Sequence, residues 1–300
     1  MREMQILARI RSLAERGRQN KAILKGIGDD CAILRPAAQR DLVFTSDFVL
    51  EGRHFQLDTH RAADIGHKAL ARSLSDLAAM GSRPLFCLVS LAVSPKQTSS
   101  WITQFYRGLL GLADRFHTTL AGGDLARFDK VIADVICCGE TPRDKALRRS
   151  GAKPGDHIYV TGELGGSAYG LVTRKGAAWR RHLRPHPRIE VGLILRRLGV
   201  SACIDISDGL SLDLHRLCLE SRVSAVISSA LPIAQGANLD QALHGGDDYE
   251  LLFTAPRFRR IPRQIASVPV THIGSITKGK AGELWLDNHP LKPRGFDHFA

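Results

Sequence analysis

The sequence predicts a mixed α/β protein of two domains. Three observations carry that expectation. Strand-like apolar runs alternate with segments of helical periodicity along almost the whole chain. Three hundred residues fit two domains of ordinary size, each able to bury its own core. A polar, basic stretch at 141–156 then interrupts the pattern, which starts over after it. The expected division is therefore 1–140, a linker at 141–156, and a C-terminal α/β domain at 157–300.

In the first half, Ile6, Leu7, Ile10 and Leu13 give residues 4–16 a helical spacing. Asp41 to Thr45 reads as a short buried strand, which puts Thr45, Ser46 and Asp47 at its C-terminal end. A long helix over 61–80 follows, with Ile65, Ala69, Leu70, Leu74, Leu77 and Ala78 on one stripe. Gly81-Ser-Arg-Pro84 ends it. Leu85 to Val93 is a strand, and 98–116 is a helix with Trp101, Phe105, Leu109 and Leu112 facing inward. Thr118 to Ala121 is a strand expected to end at Gly122-Gly123-Asp124, and Val131 to Cys138 closes the first domain. In the second half, strands are expected at 157–161, 202–205, 224–228 and 251–254. Helices are expected at 167–175, 189–198, 211–221 and 238–243. The basic stretch 174–188 reads as a solvated loop.

Composition narrows the function. A net charge of +12 at pH 7 fits anionic ligands. The longest uncharged apolar run, Leu85 to Val93, is too short to span a bilayer. Met1 to Gln5 leads into an amphipathic helix without a signal-peptide core. Six cysteines without Cys-x-x-Cys spacing read as buried thiols in a reducing cytosol, so a cytoplasmic location is expected. Gly274-Ser-Ile-Thr-Lys-Gly-Lys280 approximates a phosphate-binding P-loop, but Ala281 replaces the required hydroxyl. A strand-like Glu283-Leu-Trp-Leu286 follows where a helix is needed.

The chemistry-bearing residues are acidic clusters beside glycines and hydroxyls: Gly28-Asp29-Asp30, Thr45-Ser46-Asp47, Ser75-Asp76, Gly122-Gly123-Asp124, Asp205-Ile-Ser207-Asp208-Gly209 and Gly246-Asp247-Asp248. Taken alone, Gly28-Asp29-Asp30 reads more readily as a solvated acidic turn. The recurrence of such clusters in a basic chain shifts the reading toward shared cations, and hard oxygen ligands point to Mg²⁺ rather than zinc. Asp76 falls near the C-terminal end of its helix, where propensity and the macrodipole both disfavour it. A cation would remove that conflict; a surface aspartate is the plain alternative.

In order, Gly-Asp-Asp30, Thr45-Ser-Asp47 with Glu51 and His54-Phe55, Asp76-Leu-Ala-Ala-Met-Gly81, Gly-Gly-Asp124, Arg149-Ser-Gly-Ala, Asp205-Ile-Ser-Asp-Gly-Leu210 and Gly-Gly-Asp-Asp-Tyr-Glu-Leu251 form a set. Over nearly the whole chain that set closely resembles the thiamine-monophosphate kinase family, one of a wider group that includes aminoimidazole ribonucleotide synthetase. The resemblance implies a two-domain aminoimidazole ribonucleotide synthetase-like fold, mixed α/β. Its N-terminal domain sheet would pair with a second subunit in a homodimer, and ATP and several Mg²⁺ ions would lie in its cleft. By matching motif positions it implies metal ligands at Asp30, Thr45, Ser46, Asp47, Asp76, Asp124, Asp205 and Asp208. It implies ATP contacts at Tyr106, Gly123, Asp124, Arg149 and Ser207, and contacts to thiamine monophosphate at His54, Glu250 and Phe296. The family often has tryptophan at the Phe296 position, and its Gly-Glu-Phe-type opening has no counterpart in Met1 to Gln5.

The implied reaction is ATP-dependent phosphorylation of thiamine monophosphate to the diphosphate. A phosphate monoester with a second pKa of about 6 is mostly dianionic at neutral pH, so no general base is expected and no catalytic side chain is assigned. Within the same group, a synthetase acting on an amide or selenide is the alternative. A basic nucleic-acid-binding protein using Arg174 to Arg188 is the alternative from another class; it implies steep salt dependence and indifference to Mg²⁺. The aspartate clusters argue against it, and neither nucleic acid nor membrane is expected as a partner.

Overall fold

Leu85, Cys87, Val89, Leu91 and Val93 are buried at alternate positions of one strand, the period-two signature of a sheet with one face against apolar side chains. The computed structural model describes residues 3–17, 20–25, 27 and 32–297; Asp30 and Cys31 lie outside them. The chain divides into two compact units. One comprises residues up to Leu77 with Arg83–Asp144; the other comprises Ala78–Ser82 with everything from Lys145 onward.

The first unit runs α1 (Glu3–Arg16), β1 (Ile23–Lys25), β2 (Ile33–Leu34), β3 (Arg40–Leu50), α2 (Ala62–Ala79), β4 (Arg83–Val93), α3 (Ser99–Arg115), β5 (Thr119–Arg127) and β6 (Ile132–Pro142). Its main sheet has the order β3-β6-β4-β5, with only β4 and β5 parallel. Ile65, Leu70, Leu74 and Leu77 of α2 and Ile102, Phe105 and Leu109 of α3 are buried, the stripes expected from their spacing. Thr98 caps α3, its hydroxyl accepting from the Trp101 N–H at 3.2 Å.

Two strand expectations need correction. β3 does not stop at Thr45. It continues to Leu50 because β6 supplies a partner for every residue from Arg40 to Leu50, so Thr45, Ser46 and Asp47 sit in mid-strand. β5 likewise runs through Gly122-Gly123-Asp124, paired in register with Leu88, Val89 and Ser90.

The second unit contains β7 (His157–Thr161), α4 (Gly166–Thr173), α5 (Gly176–Leu183), α6 (Ile189–Leu198), β8 (Ala202–Ile206), α7 (Leu210–Ser221), β9 (Ser224–Ile227), α8 (Leu239–His244), β10 (Glu250–Ala255), β11 (Gln264–Ile265), β12 (Val268–Thr277), β13 (Leu284–Leu286) and β14 (His289–Pro290). Its sheet has the order β14-β13-β9-β12-β7-β10-β8, with β11 paired to β12. Ile158, Val160, Ile204 and Leu252 pack in one cluster with Leu214 and Leu217 of α7 and Ala242 of α8. The stretch 174–188 is not a solvated loop: it holds α5, where Trp179 stacks on His182 at 5.2 Å. Gly274 to Thr277 belong to β12 and Leu284 to Leu286 to β13, so the near-P-loop is strand followed by strand.

Among the described residues no helix is long and apolar enough to cross a membrane. The five described cysteines are buried and free.

Candidate active site

In the first unit, strand pleat divides the predicted ligands between two faces. Thr45 and Asp47 share one side of β3, and the Thr45 hydroxyl donates to the Asp76 carboxylate on α2. One helical turn earlier, Arg72 Nη2 lies 3.8 Å from Asp47 Oδ1, with both side chains largely covered. The position of Asp76 near a helix C-terminus is thus offset by a donated hydrogen bond, and it is neither a bare surface aspartate nor dependent on a cation for a partner.

Ser46, one residue away, points to the opposite face. Its hydroxyl donates to Asp134 Oδ1 at 2.7 Å. Asp134 pairs in register with Ser90, and Ser90 with Asp124. Two carboxylates therefore flank a serine in one row across three strands, about 10 Å apart at the backbone. Asp134 was not among the residues singled out from sequence. Its only signal there is a lone carboxylate inside the apolar run Val131 to Cys138.

Asp124, Gly123 and Tyr106 line a single pocket of about 550 Å³, with Leu88, Ser90 and Ile136 among its other walls. Gly123 has φ 151°, and a Cβ there would stand 2.0 Å from the Val89 carbonyl oxygen. Only glycine fits the strand at that point, because the Val89 backbone of β4 occupies the space a side chain would need. Tyr106 is buried on α3. Burial, and then the neighbouring Cys87 and Asp124, push its phenol far above the usual range, so it stays protonated.

These donors suit Mg²⁺. Among the described residues no three His, Cys, Asp or Glu side chains gather into a cluster that could hold a metal alone. Mg²⁺ does not require one: it keeps several waters and is commonly bound by one or two carboxylates plus substrate phosphates. Asp47 with Asp76, and Asp124 with Asp134, supply carboxylates of that kind, each with a hydroxyl nearby.

In the second unit, Asp205 is buried near the end of β8 and leads into the Ser207-Asp208-Gly209 turn. Asp213 holds that turn, and Arg216 holds Asp208. Phe296 N–H donates to the Asp208 carbonyl at 3.0 Å, bringing a partly exposed aromatic beside the turn. Arg149 is exposed, and its backbone runs next to β8, where the Cys203 N–H donates to the Arg148 carbonyl at 2.8 Å. Asp205, Ser207 and Asp208 thus follow one another along the chain, and the backbone of Phe296 is tied to their turn.

Two predicted substrate contacts occupy closed surroundings. Glu250 is fully buried. Arg188 grips it with Nε at 2.8 Å and with Nη2; Arg181 Nη2 lies at 3.1 Å, and the Thr161 hydroxyl donates at 2.6 Å. Nearby Asp248 accepts from Gly165 N–H at 2.6 Å and Ser167 N–H at 3.2 Å, at the start of α4. Burial pushes the Asp248 carboxyl up to about 6 despite Arg181 and these N–H groups. His54 is buried, and its Nδ1 accepts from Leu50 N–H at 2.9 Å within its own turn.

Comparison with known proteins agrees with the sequence motifs. Residues 28–141 match the family "AIR synthase related protein, N-terminal domain", and residues 153–287 match its C-terminal domain. The chain is 40% identical over 302 residues to thiamine-monophosphate kinase of Escherichia coli (strain K12), covering 92% of each. Its fold superposes on the crystal structure of thiamine-monophosphate kinase from Stenotrophomonas maltophilia K279a with a TM-score of 0.86 at 38% identity, covering 97% of this chain and 98% of that one. AaThiL complexed with AMPPCP and TMP matches with a TM-score of 0.80 at 31% identity, covering 100% of this chain and 99% of that one.

Proposed function

The chain belongs to the thiamine-monophosphate kinase family of AIR synthase related proteins, and on that premise we propose that it transfers the γ-phosphate of ATP to thiamine monophosphate, giving thiamine diphosphate and ADP. The observation that carries this reading is the pocket of the first unit, where Tyr106, Gly123 and Asp124 meet in a volume suited to a nucleotide-sized ligand.

Both reactants are anions, so the obstacle is mutual repulsion and not a weak nucleophile. Asp47 and Asp76 on one face, and Asp124 and Asp134 on the other, would hold Mg²⁺ in the first unit; Asp205 and Asp208 are the corresponding carboxylates of the second. Bound Mg²⁺ would neutralise phosphate charge and align donor and acceptor oxygens. Gly123 contributes backbone to the pocket wall, and Tyr106 offers a phenol that remains protonated. Arg149 presents a guanidinium fork suited to phosphate oxygens, and Ser207 a hydroxyl and backbone at the Asp208 turn. Phe296 supplies an aromatic face for the thiamine ring.

A homodimer also fits. β3 is an edge strand of eleven residues and exposes Phe44 and Phe48 at 60% and 57%. Long edge strands with exposed apolar side chains are ordinarily covered by another chain. The five described cysteines, buried and free, and an ATP-dependent reaction agree with a cytoplasmic setting.

The decisive experiment is incubation with ATP, Mg²⁺ and thiamine monophosphate, followed by chromatography for thiamine diphosphate. Formation of one diphosphate per ADP is expected. ATP turnover without diphosphate, or no turnover in the presence of both substrates, overturns the reading.

A further inference from the structure

The second unit carries a ring cluster that phosphate transfer does not use. Along β7, Ile158 and Val160 enter the core, so His157 and Tyr159 face the other side of the sheet. On the neighbouring β12, His272 is opposite Tyr159 and Ser275 opposite His157, while the ladder steps from His272 to Gly274. Such a bulge re-aims side chains. Gly274 permits it by close approach, since a Cβ there would stand 2.1 Å from the Val226 carbonyl oxygen.

The result is that the His157 and His272 rings lie 4.6 Å apart, tilted by 52°. The Tyr159 ring is 5.3 Å from that of His272, and its hydroxyl is 3.4 Å from His157 Nδ1. Fully buried Phe253 stacks on Tyr159 at 5.3 Å, which fixes the floor of the cluster.

We propose that His157 and His272 form a chelating pair for a borderline divalent metal of the Zn²⁺, Ni²⁺ or Cu²⁺ class, separate from the oxygen donors assigned to Mg²⁺. Imidazole is the ligand such metals prefer over carboxylate and water. With metal–nitrogen bonds of about 2.1 Å, two imidazole centroids sharing one ion fall roughly 4.6 Å apart at a right-angle N–metal–N and roughly 5.3 Å apart at the tetrahedral angle. The 4.6 Å found here fits the right-angle arrangement of Ni²⁺ or Cu²⁺ directly and is somewhat short of tetrahedral Zn²⁺. His272 is exposed and gives the ion an entry path. Arg257 and Asp156 are the charged groups acting on His157, with opposite signs, and Arg257 acts the more strongly. Tyr159 orients the His157 ring through its hydroxyl, as outer-shell partners of metal-bound histidines do, and water completes the coordination.

Titration calorimetry of the full chain with Zn²⁺, in excess Mg²⁺ so that oxygen sites are occupied, tests the pair. Wild type is expected to show a Zn²⁺ site that His272→Ala and His157→Asn each weaken at least ~10-fold, and that Arg257→Gln tightens. Circular dichroism checks that the variants fold; His272 is exposed, so its truncation leaves the core untouched. Thiamine monophosphate phosphorylation is expected to be unchanged in His272→Ala. Absence of Zn²⁺ binding by wild type, or an isotherm that His272→Ala or a folded His157→Asn leaves unaltered, overturns the proposal.

Discussion

Asp213 and Asp208 share one guanidinium: Arg216 Nη1 lies 2.7 Å from Asp213 Oδ1 and 2.6 Å from Asp208 Oδ2. The other oxygen of Asp213 accepts the backbone N–H groups of Ser207, Asp208 and Gly209 at 3.1, 3.0 and 3.2 Å. A buried side chain on α7 thereby fixes both the turn and the direction of the Asp208 carboxylate. Asp213→Ala strands these donors together with half of the partners of Arg216. Such losses cost on the order of 3 kcal/mol. A lower urea midpoint with an unchanged slope is expected, and Asp213→Asn, which keeps an acceptor, should fall between. Equal midpoints for wild type and Asp213→Ala would show that the turn is held by something else.

What was legible in the sequence was mostly local. The bounds of α6 and β7 follow from apolar periodicity and flanking glycines. Non-local partners decided the rest. β3 runs past Thr45 because β6 offers a matching ladder, and no residue of β3 itself announces that. The face of each ligand follows from the pleat once mid-strand placement is known, which separates Ser46 from Asp47. α5 was hidden because Arg181 and Arg188 read as solvated charges, whereas their partner Glu250 lies 69 and 62 residues further on. Asp134 and Asp213 stood outside the recognised motifs, and only the register and the turn geometry reveal them.

Glu250→Gln separates a substrate contact from a structural anchor. Arg181 and Arg188 are mostly covered, at 24% and 18% side-chain exposure; Arg188 pairs with this buried carboxylate, and Arg181 is shared between it and Asp248, the latter at 3.7 Å. Breaking a buried ion pair from one side typically costs about 3–5 kcal/mol. A large drop in melting temperature is therefore expected. A rise in KM for thiamine monophosphate with an unchanged melting temperature would instead make Glu250 a direct contact.

Asp248 sets a pH dependence. Its folded-state pKa of about 6 lies above the ordinary carboxylate value near 4. The native chain therefore binds the proton more tightly than the unfolded one, and this contribution to stability is complete below pH ~4 and lost as pH rises through ~6. Relative to Asp248→Asn, wild type should lose on the order of 3 kcal/mol between those limits. Denaturant titrations at several pH values read the gap between the two proteins. A gap that stays constant would mean that Asp248 is not raised.

Asp47→Asn tests the helix-facing set. Asp47 is partly covered and lies near Arg72, so the neutral isostere should fold. Losing one strong electrostatic stabiliser typically costs on the order of 100-fold in rate. A kcat reduced by that factor, with a raised Mg²⁺ requirement and a wild-type melting curve, is expected. Activity within a few-fold of wild type would remove Asp47 from the site.

Phosphate transfer should be direct. A relay through the enzyme needs a nucleophile with an activating base beside it. His54 is the histidine within the acidic motifs, and it is buried with Nδ1 accepting from Leu50 N–H. The described cysteines are buried too, and desolvation lifts the Cys87 and Cys138 thiols to about 12, which keeps them from acting as thiolates at neutral pH. The acceptor, meanwhile, is already an anionic oxygen nucleophile, so an intermediate on the protein would add a step without reducing the repulsion between phosphates. ATP made chiral at the γ-phosphorus distinguishes the routes. One in-line displacement inverts configuration, and inversion is expected. Labelled ADP should not exchange into ATP when thiamine monophosphate is absent. Retention, or rapid exchange without acceptor, would require a phosphorylated enzyme and would direct attention back to His54.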